Sequence, residues 1–277
     1  MLCQFTVKNF KSIRDEVTFD MQAAAISEHE DRIIIDKDEQ KYLPVSAVYG
    51  PNGGGKSNVL AALHTLVAKV LRPLLATEDS EEKVLLQRKI IVEPFAFSKS
   101  KDEPTEFELF FRTTVSEYRY ILHVKRDIVL YESLDRVKLE TGRKSALFTR
   151  DENGIVLKGA FAKLKVSDEL SKTLTLLSYL GIAYKGNAVV KDVLSWFEYG
   201  IEFLNYGNPI QELKMAVSTS EDVKKLMLQM IQEMDLDIVD FRVEEKENER
   251  INIFTKHCVD DVETEINLFR NGGKETC

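Results

Sequence analysis

The sequence predicts an α/β fold with an inserted antiparallel β-meander and a helical lobe, and three observations predict it. A short apolar run, Val45-Ser46-Ala47-Val48-Tyr49, leads at once into a glycine-rich loop and then into apolar residues at helical spacing. Between about Phe95 and Phe148 the apolar period changes to two. After Asp168 the helical period returns. Strand, loop and helix in succession define an α/β layer, and the period-two stretch reads as an insertion into it.

The 277 residues are 44% hydrophobic and 30% charged, with a formal net charge of −8. That apolar content supports a sizeable core in one large domain or two modest ones, and it excludes disorder. With 13 Gly and 6 Pro the composition is neither collagen-like nor mucin-like. No eighteen consecutive residues are apolar, so no membrane span is expected, and Met1-Leu2-Cys3-Gln4-Phe5 opens neither a signal nor a transit peptide. A cytoplasmic protein is expected.

Cys3, Cys258 and Cys277 form no CxxC pair and read as reduced thiols. His29, His64, His123 and His257 show no HExxH spacing, which leaves a metalloenzyme without support. The acidic balance argues against nonspecific coating of nucleic acid, though a sum over the chain does not exclude a local basic groove. Lys163, Lys165, Lys185 and Lys191 are no denser than an ordinary surface.

Taken in order, Cys3, Phe5 and Val7 share one face of a first strand. Val17 and Phe19 begin a second, after the polar turn Arg14-Asp15-Glu16. Residues 27–41 are mostly charged and expected to be irregular. Residues 45–49 read as a short buried strand, with Pro44 tolerable at its first position. From Asn58, the residues Leu60, Leu63, Val67, Val70 and Leu74 describe a helix that Pro73 should end, and 80–91 a second. Phe107, Leu109 and Phe111 alternate with charged neighbours, as do Tyr118, Tyr120, Leu122 and Val124, and 128–131 is a third run. This is an antiparallel meander with one solvated face.

Helices are expected over 168–180, 189–204 and 219–234, the last entered through Ser220-Glu221-Asp222. Trp196, Phe197 and Phe203 form an apolar stripe that reads as core. Strands at 241–245, 250–257 and 262–269 close the chain, the charged run from Glu244 to Arg250 being a solvated hairpin tip. The expected domains are therefore 1–92 (hairpin and nucleotide-binding core), 93–160 (antiparallel subdomain), 161–240 (helical lobe) and 241–277 (strands returning to the core).

Gly50-Pro51-Asn52-Gly53-Gly54-Gly55-Lys56-Ser57 fits G-x-x-x-x-G-K-[ST] at every fixed position. Average composition would produce the four fixed residues in about one chain of this length in a hundred. The chemistry needs these types. Glycines let the backbone curl until successive amides face an anion, and the following helix adds its own amides and the positive end of its dipole. Lys56 should reach the β- and γ-phosphates and the Ser57 hydroxyl should ligate Mg²⁺. The expected fold is thus that of a P-loop NTPase, and the expected cofactors are ATP and Mg²⁺. A GTPase is disfavoured because no Asn-Lys-x-Asp guanine reader is present. A small-molecule kinase is disfavoured because forty-odd residues precede the loop.

The stretch Phe5-Thr6-Val7-Lys8-Asn9-Phe10-Lys11-Ser12-Ile13, followed some forty residues later by Gly-Pro-Asn-Gly-Gly-Gly-Lys-Ser-Asn, resembles the RecF/SMC/OLD group of ABC-type ATPases. More narrowly it is similar to stand-alone bacterial AAA-family ATPases related to the OLD nucleases. Glu93-Pro94-Phe95-Ala96-Phe97, Tyr118-Arg119-Tyr120 and Tyr131-Glu132-Ser133-Leu134 resemble the antiparallel subdomain of the same proteins. The resemblance implies an ABC-ATPase-like head that forms a homodimer around ATP and acts on nucleic acid in DNA repair or phage defence, with an effector or nuclease as a further partner. It also implies that the N-terminal hairpin lies against the nucleotide and that Asn58 opens the first helix. This adds Asn9, Lys11, Ser12 and Asn58 to the cofactor-binding set, although a solvated hairpin turn would use the first three residues equally well.

The departures carry information too. No Ser-x-Gly followed by a basic residue appears, and no run of four apolar residues ends in Asp-Glu. Gln87, the nearest candidate for the glutamine that enters the lateral lobe, falls inside an expected helix. The expectation is that the chain stops before its catalytic half, binds ATP and hydrolyses it negligibly, whereas the intact protein is an ATPase. The alternative is a non-catalytic nucleotide-binding regulator of a partner effector.

Overall fold

Alternation in the first eight residues builds the first strand. β1 (Leu2–Lys8) turns Cys3, Phe5 and Val7 inward and pairs with β2 (Val17–Asp20). In a computed structural model the described residues are 1–25, 30–75, 90–97, 102–167, 170–203, 224–226, 228–229, 232, 238–246, 250–259 and 262–267. Residues 80–89 of the helix expected over 80–91, Gln87 among them, and the Ser220 helix entry lie outside them, and Ile90 and Ile91 are not helical. Contacts divide the chain into two units, Met1–Glu202 and Phe203–Cys277.

The described part of the charged stretch, 30–41, is irregular as expected, apart from a 3-10 turn at Glu30–Arg32 and the short ladder β3 (Ile34–Ile35) with β4 (Lys41–Tyr42). The period-two stretch forms β5 (Thr105–Arg112), β6 (Ser116–Lys125), β7 (Ile128–Lys138), β8 (Lys144–Asp151) and β9 (Gly154–Leu157). With β1 and β2 these five strands make a seven-stranded antiparallel sheet in the order β2-β1-β5-β6-β7-β8-β9.

Register places Phe5, Leu109, Tyr120, Leu134 and Phe148 in one row across five strands, each at most 1% exposed. Each such side chain contributes roughly 1.5–3 kcal/mol relative to being left in water. The opposite row, Thr6, Glu108, Ile121, Ser133 and Thr149, is richer in polar groups.

Three helices lie against the apolar face: α1 (Lys56–Leu75), α2 (Leu176–Ala183) and α3 (Ala188–Tyr199). Trp196 and Phe197 of α3 pack against Phe111, with ring centroids 4.5 Å and 5.5 Å away, so these two residues of the predicted stripe are core, whereas the helix expected over 189–204 ends at Tyr199 and Phe203 lies beyond it, half-buried. At Gly181 the helices approach too closely for a side chain: a Cβ there would lie 2.6 Å from Leu74 of α1 and 2.5 Å from Leu194 of α3. By length and composition α1 could span a bilayer, but Ala62, Leu63, Leu66, Val67 and Val70 bury its inner stripe within the first unit.

Four expectations need correction. Helix α1 continues through Pro73 to Leu75, because a proline in the closing turn forfeits only one hydrogen bond, to the carbonyl of Lys69. The helix expected over 168–180 begins at Leu176, where Thr175 caps it by accepting from the Ser178 amide. The domain division at 92/93 is crossed by the sheet, since β1 pairs with β5 through Phe5–Leu109 and Val7–Phe107. The closing strands β10 (Ile238–Lys246), β11 (Arg250–Val259) and β12 (Val262–Asn267) pair with one another in a separate three-stranded sheet of the second unit. There Arg242 grips Glu265 with two bonds of 2.7 and 2.8 Å and stacks 4.1 Å over Phe254.

The strand expected at 45–49 is not formed either. Val45, Val48 and Tyr49 are exposed, Tyr49 at 91%. A strand needs a neighbour for its amides and carbonyls, and among the described residues none pairs with 44–50. The segment is anchored upstream by the Leu43 amide on the Met21 carbonyl at 2.7 Å, and at its end by the Lys56 ammonium on the Gly50 carbonyl at 2.7 Å.

Candidate functional site

The glycine-rich loop is shaped by backbone that only glycine adopts freely. Gly53 takes a φ of 80° and Gly55 one of 84°. Pro51-Asn52-Gly53-Gly54 closes as a tight turn, the Gly54 amide donating to the Pro51 carbonyl at 3.1 Å. A Cβ on Gly55 would come within 3.0 Å of the Ser12 hydroxyl, so a side chain there meets both strain and a neighbour.

Helix α1 starts at Lys56, and its first amides have no intrahelical acceptor. The Lys56 ammonium reaches back over the loop and donates to the carbonyls of Gly50 at 2.7 Å and Pro51 at 2.8 Å. Ser57 is exposed on the same turn, and the Asn58 amide donates to the Gly55 carbonyl at 2.9 Å. Of the expected set, the structure gathers Gly50, Pro51, Asn52, Gly53, Gly54, Gly55, Lys56, Ser57 and Asn58 into one loop and helix start.

The N-terminal turn meets this loop from another element. Between β1 and β2, Asn9 and Lys11 both adopt left-handed backbone, with φ of 57° and 48°. Asparagine tolerates this better than lysine does. The turn is closed by reciprocal bonds between Phe10 and Ile13, at 2.8 and 2.7 Å. It delivers Ser12 to the loop, where the Asn58 side-chain amide donates to the Ser12 hydroxyl at 2.6 Å. Lys11 is exposed beside it, its ammonium 5.5 Å from the Phe10 ring.

Asn9 is placed differently. It is 1% exposed, donates to the carbonyls of Glu103 and Pro104 at 3.1 Å each, and accepts from the Phe95 amide at 3.0 Å. Its own carbonyl accepts from the Thr105 hydroxyl at 2.6 Å, and the Lys11 amide donates to Glu93 at 2.9 Å. Asn9 thus fixes the turn to the 93–105 segment rather than presenting its amide to the loop. Glu93, Phe95 and Thr105 carry no sequence signal for this role, since two of the bonds use only their backbone.

Behind the loop, a buried polar network ties α1 to α2. The Ser178 hydroxyl donates to the Val70 carbonyl at 2.7 Å, and Lys69, 5% exposed, donates to Asp127 and Thr173 carbonyls. Glu132, fully buried on β7, accepts from the amides of Leu176 and Leu177 at 2.6 and 2.9 Å and from the Tyr120 hydroxyl at 2.9 Å. Burial pushes the Glu132 carboxyl and the Tyr120 phenol above their usual values, while the amide bonds pull Glu132 back. A concavity lined by Ile128, Arg150, Ile155, Leu164, Leu170 and Lys172 contains none of the loop residues.

Mg²⁺ takes oxygen ligands and keeps several waters beside substrate phosphates. One exposed hydroxyl at the start of a helix, Ser57, next to a loop too tight for Cβ atoms at Gly54 and Gly55, fits that demand. Among the described residues no three His, Cys, Asp or Glu side chains group as a metal site.

Residues 45–191 match the family model of an AAA domain described as a putative AbiEii toxin of a Type IV toxin–antitoxin system. No curated protein matches the chain. The matched span begins at the segment that enters the loop and runs through the meander to α3, which is the α/β P-loop NTPase fold described above. Because it covers more than half of the sequence, the chain belongs to this AAA-domain family of P-loop ATPases.

Proposed function

We propose that the loop 50–57 binds ATP with Mg²⁺, and that the protein is the nucleotide-binding head of a RecF/SMC/OLD-like ATPase. In the intact protein this head hydrolyses ATP as a homodimer and acts on nucleic acid in DNA repair or phage defence. The observation that carries the reading is the joining of a tight glycine loop to the first turn of α1, with Lys56 arched over it. Lys56 exchanges two neutral carbonyls for phosphate oxygens, a stronger, charge-assisted partnership. The Gly53–Lys56 backbone provides amides, and Ser57 provides the metal-binding oxygen. Mg²⁺, when bound with ATP, offsets phosphate charge. Lys11 adds a second cation from the turn that touches the loop.

A second reading is a non-catalytic nucleotide-binding regulator of a partner effector. Hydrolysis needs a second metal ligand and a group that aligns water, and the sequence holds no apolar run ending in Asp-Glu. Steady-state phosphate release from the purified 277-residue chain is therefore expected to be negligible. Robust turnover lost in Lys56→Ala would mean that a carboxylate elsewhere aligns the water. Sedimentation with and without MgATP separates the two readings: a nucleotide-dependent dimer supports the head, and a nucleotide-bound monomer supports the regulator.

A further inference from the structure

We propose that Ser12 and Asn58 are a positioning pair for the phosphate loop, acting on Gly55 and Ser57 rather than on nucleotide. The proposal rests on the reading of 50–57 as the ATP site. The two residues are 46 positions apart, and their bond of 2.6 Å is short for an N–H···O contact. It joins two separately built structures. On one side, Asn58 is in the first turn of α1, directly after Ser57, and its amide closes onto Gly55 at 2.9 Å. On the other, Ser12 ends a turn made rigid by two left-handed residues and by Asn9, whose side chain and carbonyl hold 95, 103, 104 and 105.

The turn is thus a rigid arm from the sheet, and its tip touches the loop at the residue where loop becomes helix. Gly55 is doubly constrained there, by its φ of 84° and by the Ser12 hydroxyl 3.0 Å from where its Cβ would be. Without the arm, the hydrogen bonds that hold the first turn of α1 among the described residues are those of its own helix and of Lys56 on the Gly50 and Pro51 carbonyls, the contacts that Lys56 must give up to meet phosphate. The Ser12–Asn58 bond keeps the Gly55 amide and Ser57 hydroxyl in place through that exchange.

The test is a double-mutant cycle read by MgATP titration well below the unfolding temperature of every variant. Ser12→Ala and Asn58→Ala are each expected to weaken MgATP binding about three- to tenfold, the worth of one net hydrogen bond. The double variant should be no weaker than the worse single, and Ser12→Thr, which retains the hydroxyl, should restore wild-type affinity. Additive losses, unchanged affinity, or a lowered melting temperature with unchanged affinity would overturn the proposal. Should Ser12→Ala fail to fold, Asn58→Ala, at the accessible start of a helix, decides the matter with the Ser12→Thr variant. Lys56→Ala serves as the control: ATP binding retained there overturns the ATP-site reading itself, whereas binding lost there and unchanged in Ser12→Ala and Asn58→Ala overturns only the pair.

Discussion

Lys69, in the middle of α1, donates its buried ammonium to the carbonyl of Thr173, 104 residues away, at 3.3 Å. A second bond runs to the Asp127 carbonyl at 2.9 Å. The helix that begins at the phosphate loop is therefore clamped at its centre to the β6–β7 turn and to the residues that lead into α2. Lys69→Ala removes the donor of both half-buried carbonyls and the packed stem. A loss of about 2–4 kcal/mol is expected in urea unfolding, with a smaller loss for Lys69→Met, which keeps the stem.

Arg112 is the hub that holds the segment upstream of the loop. It is 6% exposed and bonds Asp36 at 3.0 Å, Asp38 at 2.6 and 2.8 Å and Glu117 at 2.7 Å, with Tyr42 5.2 Å below its guanidinium. Replacement by Met leaves three carboxylates facing one another without a cation. A destabilisation of about 3 kcal/mol at neutral pH is expected, measured by thermal or urea unfolding.

The same hub sets a pH dependence. The hydrogen bonds from Arg112 hold the Asp38 carboxyl below its ordinary value. A depressed carboxyl contributes stability that is present above its unfolded value, about 3.9, and that is lost as pH falls through the lower folded value. Unfolding free energy should therefore decline below about pH 4 in the wild type and decline less steeply in Asp38→Asn. Parallel acid limbs in the two proteins would count against the assignment.

Glu132 and Arg150 show where sequence reading ran out. Period-two alternation made the N-terminal hairpin and most of the meander legible, because side-chain direction in a strand follows from position alone. The glycine loop was legible because its residue types are dictated by backbone conformation. Glu132 in Tyr131-Glu132-Ser133 looks like a surface carboxylate, yet register sets it opposite Leu122 on the buried face of the sheet, and the start of α2 supplies its partners. Residues 45–49 erred in the opposite direction: their composition suits a strand, but strand status belongs to a pair, and no described residue supplies the neighbour. Asn9 was assigned to the nucleotide on its motif, and its bonds to 95, 103 and 104 are invisible without the tertiary structure.

From that burial follows a prediction. Glu132→Ala leaves two amides and a phenol without acceptors at a fully buried point, so a loss of about 3 kcal/mol or more is expected. Glu132→Gln retains an acceptor oxygen and should lose less. Equal losses in the two variants would mean that the retained acceptor oxygen contributes nothing to holding α2, and would contradict the assignment.

Nucleotide preference offers a further check. The sequence has no base-reading motif, so ATP should be favoured over GTP by less than about tenfold, or 1.4 kcal/mol, in competition binding. Ser57→Ala should reduce the Mg²⁺ dependence of binding more than binding in Mg²⁺-free buffer.

The central claim is that nucleotide is held through Lys56 on the loop from Gly50 to Ser57. Calorimetric titration of MgATP into the wild type and into Lys56→Ala, with folding of both checked by circular dichroism, tests it most directly. Saturable binding is expected in the wild type, with no measurable binding in a variant that keeps its secondary structure and unfolding temperature, because among the described residues the Lys56 ammonium bonds the carbonyls of its own loop. Undiminished affinity in the folded variant would contradict the assignment.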